Sequence, residues 1–121
     1  MNFYVRYSEL VGSILKDYRV REGKTQGDIS KYVGVGVSTY SRIECGDSSV
    51  SVVQLHKASY VMGLTSDAVL SEVNDLIAGL EGNDPPIAVI YGEEEDLPKG
   101  YIPLTGKGLD AVIKNLRCKK G

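Results

Sequence analysis

At 121 residues, 42% of them hydrophobic and with a net charge of −2, the chain can bury one real core with a small appendage, and it is neither disordered nor fibrous in composition. No run of about 18 apolar residues is present to span a membrane, and the opening "MNFYVRYSEL" lacks the basic start and apolar stretch of a signal peptide. The two cysteines, Cys45 and Cys118, lie far apart and form no CxxC pair, which argues against a disulfide scaffold or a zinc site and for a reducing cytoplasm.

The charge is distributed in blocks. Residues 1–64 carry eight basic and six acidic residues (+2), residues 65–98 carry none and nine (−9), and residues 99–121 carry six and one (+5). Either terminal block can lie against phosphate, because the field at a contact face is local; the middle block cannot.

In chain order, Leu10, Val11, Ile14, Leu15 and Tyr18 form one apolar stripe and predict an amphipathic helix over Ser8–Arg21, ended by Gly23. Thr25 caps a second helix, with Asp28 three residues on in a variant capping box, Ile29 and Val33 facing inward, and Gly34 closing it. Gly36 opens a third helix, where a missing side chain is tolerable at the N-cap. After the turn "CGDSSVS", Ser51 and Gln54 form a capping box. Val52, Leu55, Ala58, Tyr60, Val61 and Met62 mark a fourth helix, which ends at Gly63. Thr65 or Ser66 opens a fifth, carrying Val69, Leu70, Val73, Leu76, Ile77 and Leu80. At "EGNDPP" the texture changes. "IAVIY" (87–91) reads as a short strand, the acidic run Glu93–Asp96 as a solvated loop, and "YIPL" (101–104) as a second strand, held at an edge by Pro103. Thr105 then caps a last helix with Leu109, Val112, Ile113 and Leu116 on one face.

The stretch Thr25–Gly46 is thus two short helices joined by a tight glycine-bearing turn. Its residues are distinctive: Thr25, Gln26, Ile29, Ser30, Gly34, Val35, Ser38, Thr39, Tyr40, Ser41, Arg42, Ile43, Glu44 and Gly46. In these the segment resembles the helix-turn-helix of the Cro and phage-repressor (XRE) family. The resemblance runs from about Leu10 to Leu70, half the chain, and says nothing of residues 81–121.

The resemblance implies a role for each position. Gln26 would bond a DNA phosphate while its amide braces the recognition helix, and Val37, Ser38 and Arg42 would reach base edges in the major groove. Thr39, Ser41 and Cys45 would flank them, Thr39 and Cys45 nearer the backbone. Glu44 would pair with Arg19 inside the fold. The chemistry of the residues agrees: an arginine fork matches guanine O6 and N7, Ser38 suits several bases or a phosphate, and Val37 offers only apolar contact, as with a thymine methyl. Val37 and Gly36 depart from the polar residues usual at those positions.

Tyr40 belongs to the core at this phase, with its hydroxyl at the edge. Cys45 reads as a passive small residue, and His56, the single histidine, has no ligand cluster around it. "LTGKG" (104–108) lacks P-loop spacing. The basic end "KNLRCKK" reads as a solvated helix terminus, with a phosphate-contacting arm as the alternative. No nucleophile, acid–base or metal constellation supports an enzyme, and no cofactor or metal is expected.

The expected fold is mainly α: a five-helix Cro/repressor-like helix-turn-helix domain (1–80) with a C-terminal ββα-like appendage (81–121). The expected function is a cytoplasmic DNA-binding transcriptional regulator, most simply a repressor, that reads double-stranded DNA as a homodimer through residues 36–45. Residues 85–121 would serve dimerisation or a protein partner. Two alternatives stand beside it: an autoregulating antitoxin, and an interaction module that has lost DNA binding.

Overall fold

The computed structural model describes residues 2–92, Leu97 and residues 99–119; the acidic run Glu93–Asp96 lies outside the described residues. In order, the elements are β1 (Asn2–Arg6), α1 (Tyr7–Arg21), α2 (Gln26–Val33), α3 (Val37–Cys45), α4 (Val52–Val61), α5 (Ser66–Glu81), β2 (Ala88–Ile90), β3 (Tyr101–Pro103) and α6 (Gly106–Lys119). They form two compact units: Ser8–Val73, and Met1–Tyr7 together with Asn74–Gly121.

Within the first unit the helix boundaries follow from local chemistry. The Thr25 hydroxyl accepts from the Asp28 N–H at 3.1 Å and the Asp28 carboxylate accepts from the Thr25 N–H at 2.9 Å, a complete capping box that satisfies two donors the helix cannot. Ser51 and Gln54 make the same reciprocal pair at the start of α4. The Thr65 hydroxyl accepts from the Ala68 N–H before α5. Leu10, Ile14 and Leu15 of α1, Ile29 of α2, Tyr40 of α3 and Val69 of α5 are fully buried and make the centre of this core. The Tyr18 hydroxyl donates to Glu72, tying α1 to α5.

Two glycines set how closely α1 and α3 approach. A Cβ on Gly12 would lie 2.4 Å from the carbonyl oxygens of both Ile43 and Glu44, so only a bare backbone fits there. Gly46 caps α3 at φ +79°, where its own Cβ would meet the backbone of Glu9 at 2.5 Å. The Ser8 hydroxyl donates to the Gly46 carbonyl at 2.8 Å and closes the junction.

α4 forms where its pattern predicts a helix, but its apolar residues do not share one face. Leu55, Ala58 and Met62 are buried, but Val52 is 84% and Tyr60 64% exposed. Tyr60 stacks on Tyr32 of α2 (centroids 5.9 Å apart) and on His56 (6.5 Å) at the surface.

In the second unit, the two expected strands are present but shorter, and they do not pair with each other. The sheet order is β2-β1-β3, all parallel, with the amino-terminal strand β1 in the middle. Sequence reading had found no strand in residues 2–6. Tyr4 faces Ala88 on one side and Pro103 on the other, and β3 takes the edge, as Pro103 requires. Tyr4 and Val5 point to opposite faces and are both buried, so β1 is covered on both sides, as parallel strands usually are. α6 buries Leu109 and Ile113, and Gly79 of α5 lets Leu116 approach to where a Cβ would stand 2.9 Å away.

Candidate nucleic-acid interface

α2 and α3 are joined by Gly34–Gly36. Gly34 adopts the left-handed conformation (φ +89°), and the Ser30 carbonyl accepts from both the Gly34 and Val35 N–H groups, which turns the chain sharply out of α2. Gly36 then caps α3 with extended backbone and no side-chain bond. The first helical bond of α3 runs from the Tyr40 N–H to the Gly36 carbonyl, so the N–H groups of Val37, Ser38 and Thr39 have no partner in the helix and face outward as an anion-receptive end.

One face of α3 is core: Tyr40, Ile43 and Glu44 are buried. The other carries the residues singled out in the sequence. Val37, Ser38, Thr39, Arg42 and Cys45 are exposed and Ser41 is half-buried, so all stand on the same short helix away from the core. Gln26, half-buried at the start of α2, donates through its amide to Glu44 Oε1 at 3.1 Å and so braces α3.

Glu44 is the hub of this bracing. Arg19 donates to it twice, from Nε to Oε2 at 2.7 Å and from Nη2 to Oε1 at 3.0 Å. A third bond runs from Arg19 Nη1 to the Lys24 carbonyl at 2.9 Å. The pair is largely shielded from water: side-chain exposure is 13% for Arg19 and 1% for Glu44. The bond to Glu44 raises the arginine's pKa above its already high ordinary value, so it stays charged. Such a pair holds α1, α2 and α3 in one register, because removing either partner strands a buried charge.

There is an electrostatic consequence for the outer face. Glu44 is the only carboxylate in α3, and it is buried and neutralised, so the exposed charge of the helix is that of Arg42. Tyr40 lies in the core as expected, but its hydroxyl is buried with the ring rather than held at the edge; burial first, then the Glu44 charge, raises its phenol far above the usual range, so it stays neutral. Sequence reading overlooked Gly27, at the second position of α2. A Cβ there would stand 3.9 Å from Val37 Cγ2, so Val37 and the start of α2 border the same surface. A glycine directly after a capped helix start was the available signal.

Among the described residues no group of three or more His, Cys, Asp or Glu side chains could hold a metal, and no helix is long and apolar enough to cross a membrane. Cys45 and Cys118 are free thiols.

With this geometry in view, comparison with known proteins gives a consistent answer. Residues 15–68 match the helix-turn-helix family model, a span that contains α2 and α3 entire. The matched span coincides with the stretch that resembles the XRE-type helix-turn-helix. Among solved structures, the chain is similar to the clp gene regulator ClgR from Corynebacterium glutamicum, at 25% identity and a TM-score of 0.54, over 65% of this chain and 95% of that one. No curated protein matches the chain. The helix-turn-helix accounts for both capping boxes, the Gly34 turn and the bracing of α3 by Arg19, Glu44 and Gln26.

Proposed function

We propose that this protein is a sequence-specific transcriptional repressor that binds its operator as a homodimer, inserting the outer face of α3 into the major groove. The observation that carries the reading is the arrangement of α3: its only carboxylate is locked inside against Arg19, while Arg42, Ser38 and three free N–H groups face out. In this reading Arg42 reads a guanine, Ser38 a neighbouring base or phosphate, and Val37 an apolar base edge; Thr39 and Ser41 flank them. Gln26, already bonded to Glu44, contacts a phosphate and ties the register of α3 to the DNA backbone.

A single recognition helix covers few base pairs, so two copies read half-sites about 34 Å apart or a multiple of that. Residues 81–121 are the pairing element in this proposal. Their support is the sheet they form with β1, whose outer strands β2 and β3 each have one open edge, and the exposed Ile102 on β3. Occupancy of the operator then blocks polymerase.

The test is a salt-titrated gel shift on DNA upstream of the protein's own gene. Selective binding should fall steeply with salt, and Arg42→Ala should weaken it by about 1–3 kcal/mol per half-site while relaxing selectivity at one base pair. Absence of selective binding at low salt would sink the proposal. Sedimentation of a chain lacking residues 85–121 checks the pairing element: a monomer is expected, and a persisting dimer moves dimerisation elsewhere.

A further inference from the structure

The two open edges of the sheet are not equivalent, and the backbone bonds of β1 tell them apart. The Leu104 N–H donates to the Tyr4 carbonyl at 2.8 Å, so the polar backbone groups of Tyr4 face β3. Those of Val5, one residue on, therefore face β2. In a parallel ladder a residue bonds the two neighbours of the one it faces, so Val5 takes Ala88 and Ile90. Val89, directly opposite Val5, is left with its N–H and C=O pointing out of the sheet. By the same alternation Tyr101 and Pro103 turn their backbone outward on β3, where Pro103 has no N–H to offer.

Proline and charge are what blunt a sheet edge against further pairing. β3 carries the proline. Residues 87–91 at β2, Ile-Ala-Val-Ile-Tyr, carry neither. Just before β2 the Ile87 N–H is already taken, donating to the Leu80 carbonyl at 3.0 Å. Within β2 one outward donor and one outward acceptor remain, both on Val89. An antiparallel strand satisfies both at once, because residues in a hydrogen-bonded pair exchange two N–H···O bonds. A second copy of β2 does so on a two-fold axis through the pair, the closed symmetry of a homodimer. It also brings a second Tyr91. This side chain is 70% exposed, is tilted against Tyr7 with ring centroids 5.3 Å apart, and stands two residues from the axis.

We propose that two copies of the chain join through β2, with Val89 antiparallel to the partner's Val89, in one six-stranded sheet of order β3-β1-β2-β2-β1-β3. The inference rests on the homodimer proposed above and names the edge and register of its pairing.

The experiment uses the full chain with Cys45→Ser and Cys118→Ser, so that no other thiol competes. Single thiols are then introduced by Ala88→Cys, Val89→Cys or Ile102→Cys, and each variant is oxidised with glutathione disulfide. In a hydrogen-bonded pair the Cα atoms stand about 5.5 Å apart, within the span of a disulfide. Ala88 faces the partner's Ile90 in this register, which takes its own counterpart out of reach. Val89→Cys should therefore form covalent dimer about ten-fold faster than the other two. Random collision gives the opposite order, since Ile102 is exposed and Val89 only half-buried.

Val89→Pro is the second variant, removing the one outward N–H at a place where an edge strand accepts proline. Its dimer dissociation constant in sedimentation should rise about ten- to hundred-fold for the two bonds lost. Slow exchange of the Ala88 and Ile90 N–H groups, which face β1, shows that its sheet is intact; if that protection is lost, the thiol series decides. A dimer that cross-links fastest through Ile102→Cys, or through none of the three, overturns the inference and leaves pairing by residues 81–121 standing. So does an unchanged dissociation constant in Val89→Pro with the sheet intact. A wild-type chain that stays monomeric at about 0.1 mM overturns both, and leaves the β2 edge to an extended segment of another protein.

Discussion

The two compact units of this chain are specified in opposite ways. In Ser8–Val73 each helix starts and stops on a signal within a few residues: Thr25 with Asp28, Gly34, Ser51 with Gln54, Thr65. In the other unit, the sheet exists only because residues 2–6 meet residues 88–90 and 101–103, and nothing near Asn2 announces those partners. Local chemistry makes elements legible. Pairing across most of the chain does not, because a strand's identity there depends on what lies beside it rather than on its neighbours in sequence.

Perturbations of three kinds test that contrast, from the largest expected effect to the smallest. Deleting residues 1–6 removes the central strand, leaving β2 and β3 with no strand between them. Slow amide exchange at Ala88–Ile90 and at Tyr101 and Ile102 should be lost altogether. Persisting protection at either strand would show that the C-terminal segment organises itself without β1.

The helical unit has one long-range dependence of its own, between Arg19 and Glu44. Arg19→Met leaves a carboxylate 1% exposed that keeps the Gln26 amide but loses its counter-charge, and should cost about 3 kcal/mol in denaturant unfolding. Adding Glu44→Gln to that variant should recover part of the loss. A single-variant cost below about 0.5 kcal/mol would mean that the pair is incidental to the domain.

The smallest effects belong to the local signals themselves. Thr25→Ala should cost about 1 kcal/mol, read as a lowered midpoint in urea. The same box is sensitive to acid. The backbone N–H of Thr25 first, and its hydroxyl second, hold the Asp28 carboxyl below its ordinary value of 3.8. A depressed folded-state value means that the unfolded chain takes up the proton first as pH falls. The stabilisation is therefore complete above about pH 5 and is lost as pH drops through the folded-state value, below 3.8. Asp28→Asn should flatten that part of the stability profile; an unchanged profile would remove the box from the account.

How much could be read in advance follows from the same distinction. The six helices and both C-terminal strands were visible, since their patterns and caps are local. The Arg19–Glu44 pair came from family resemblance, not from spacing, because twenty-five residues separate partners that only the fold brings together. The inward placement of Tyr40 followed from its phase on α3. The exposure of Val52 and Tyr60 did not follow, because apolar residues cover too much of α4 to define one face.

The central position of β1 also fixes an order of events during synthesis. β1 is made before the other described elements, yet its first partner begins only at Ala88 and its second at Tyr101. At about 5–20 residues per second, the gap between Arg6 and Ala88 lasts roughly 4–16 s. During that interval Phe3, Tyr4 and Val5 have no strand to join, and every residue of the helix-turn-helix is made before it ends. The sheet can therefore close only after all of the helix-turn-helix has been made.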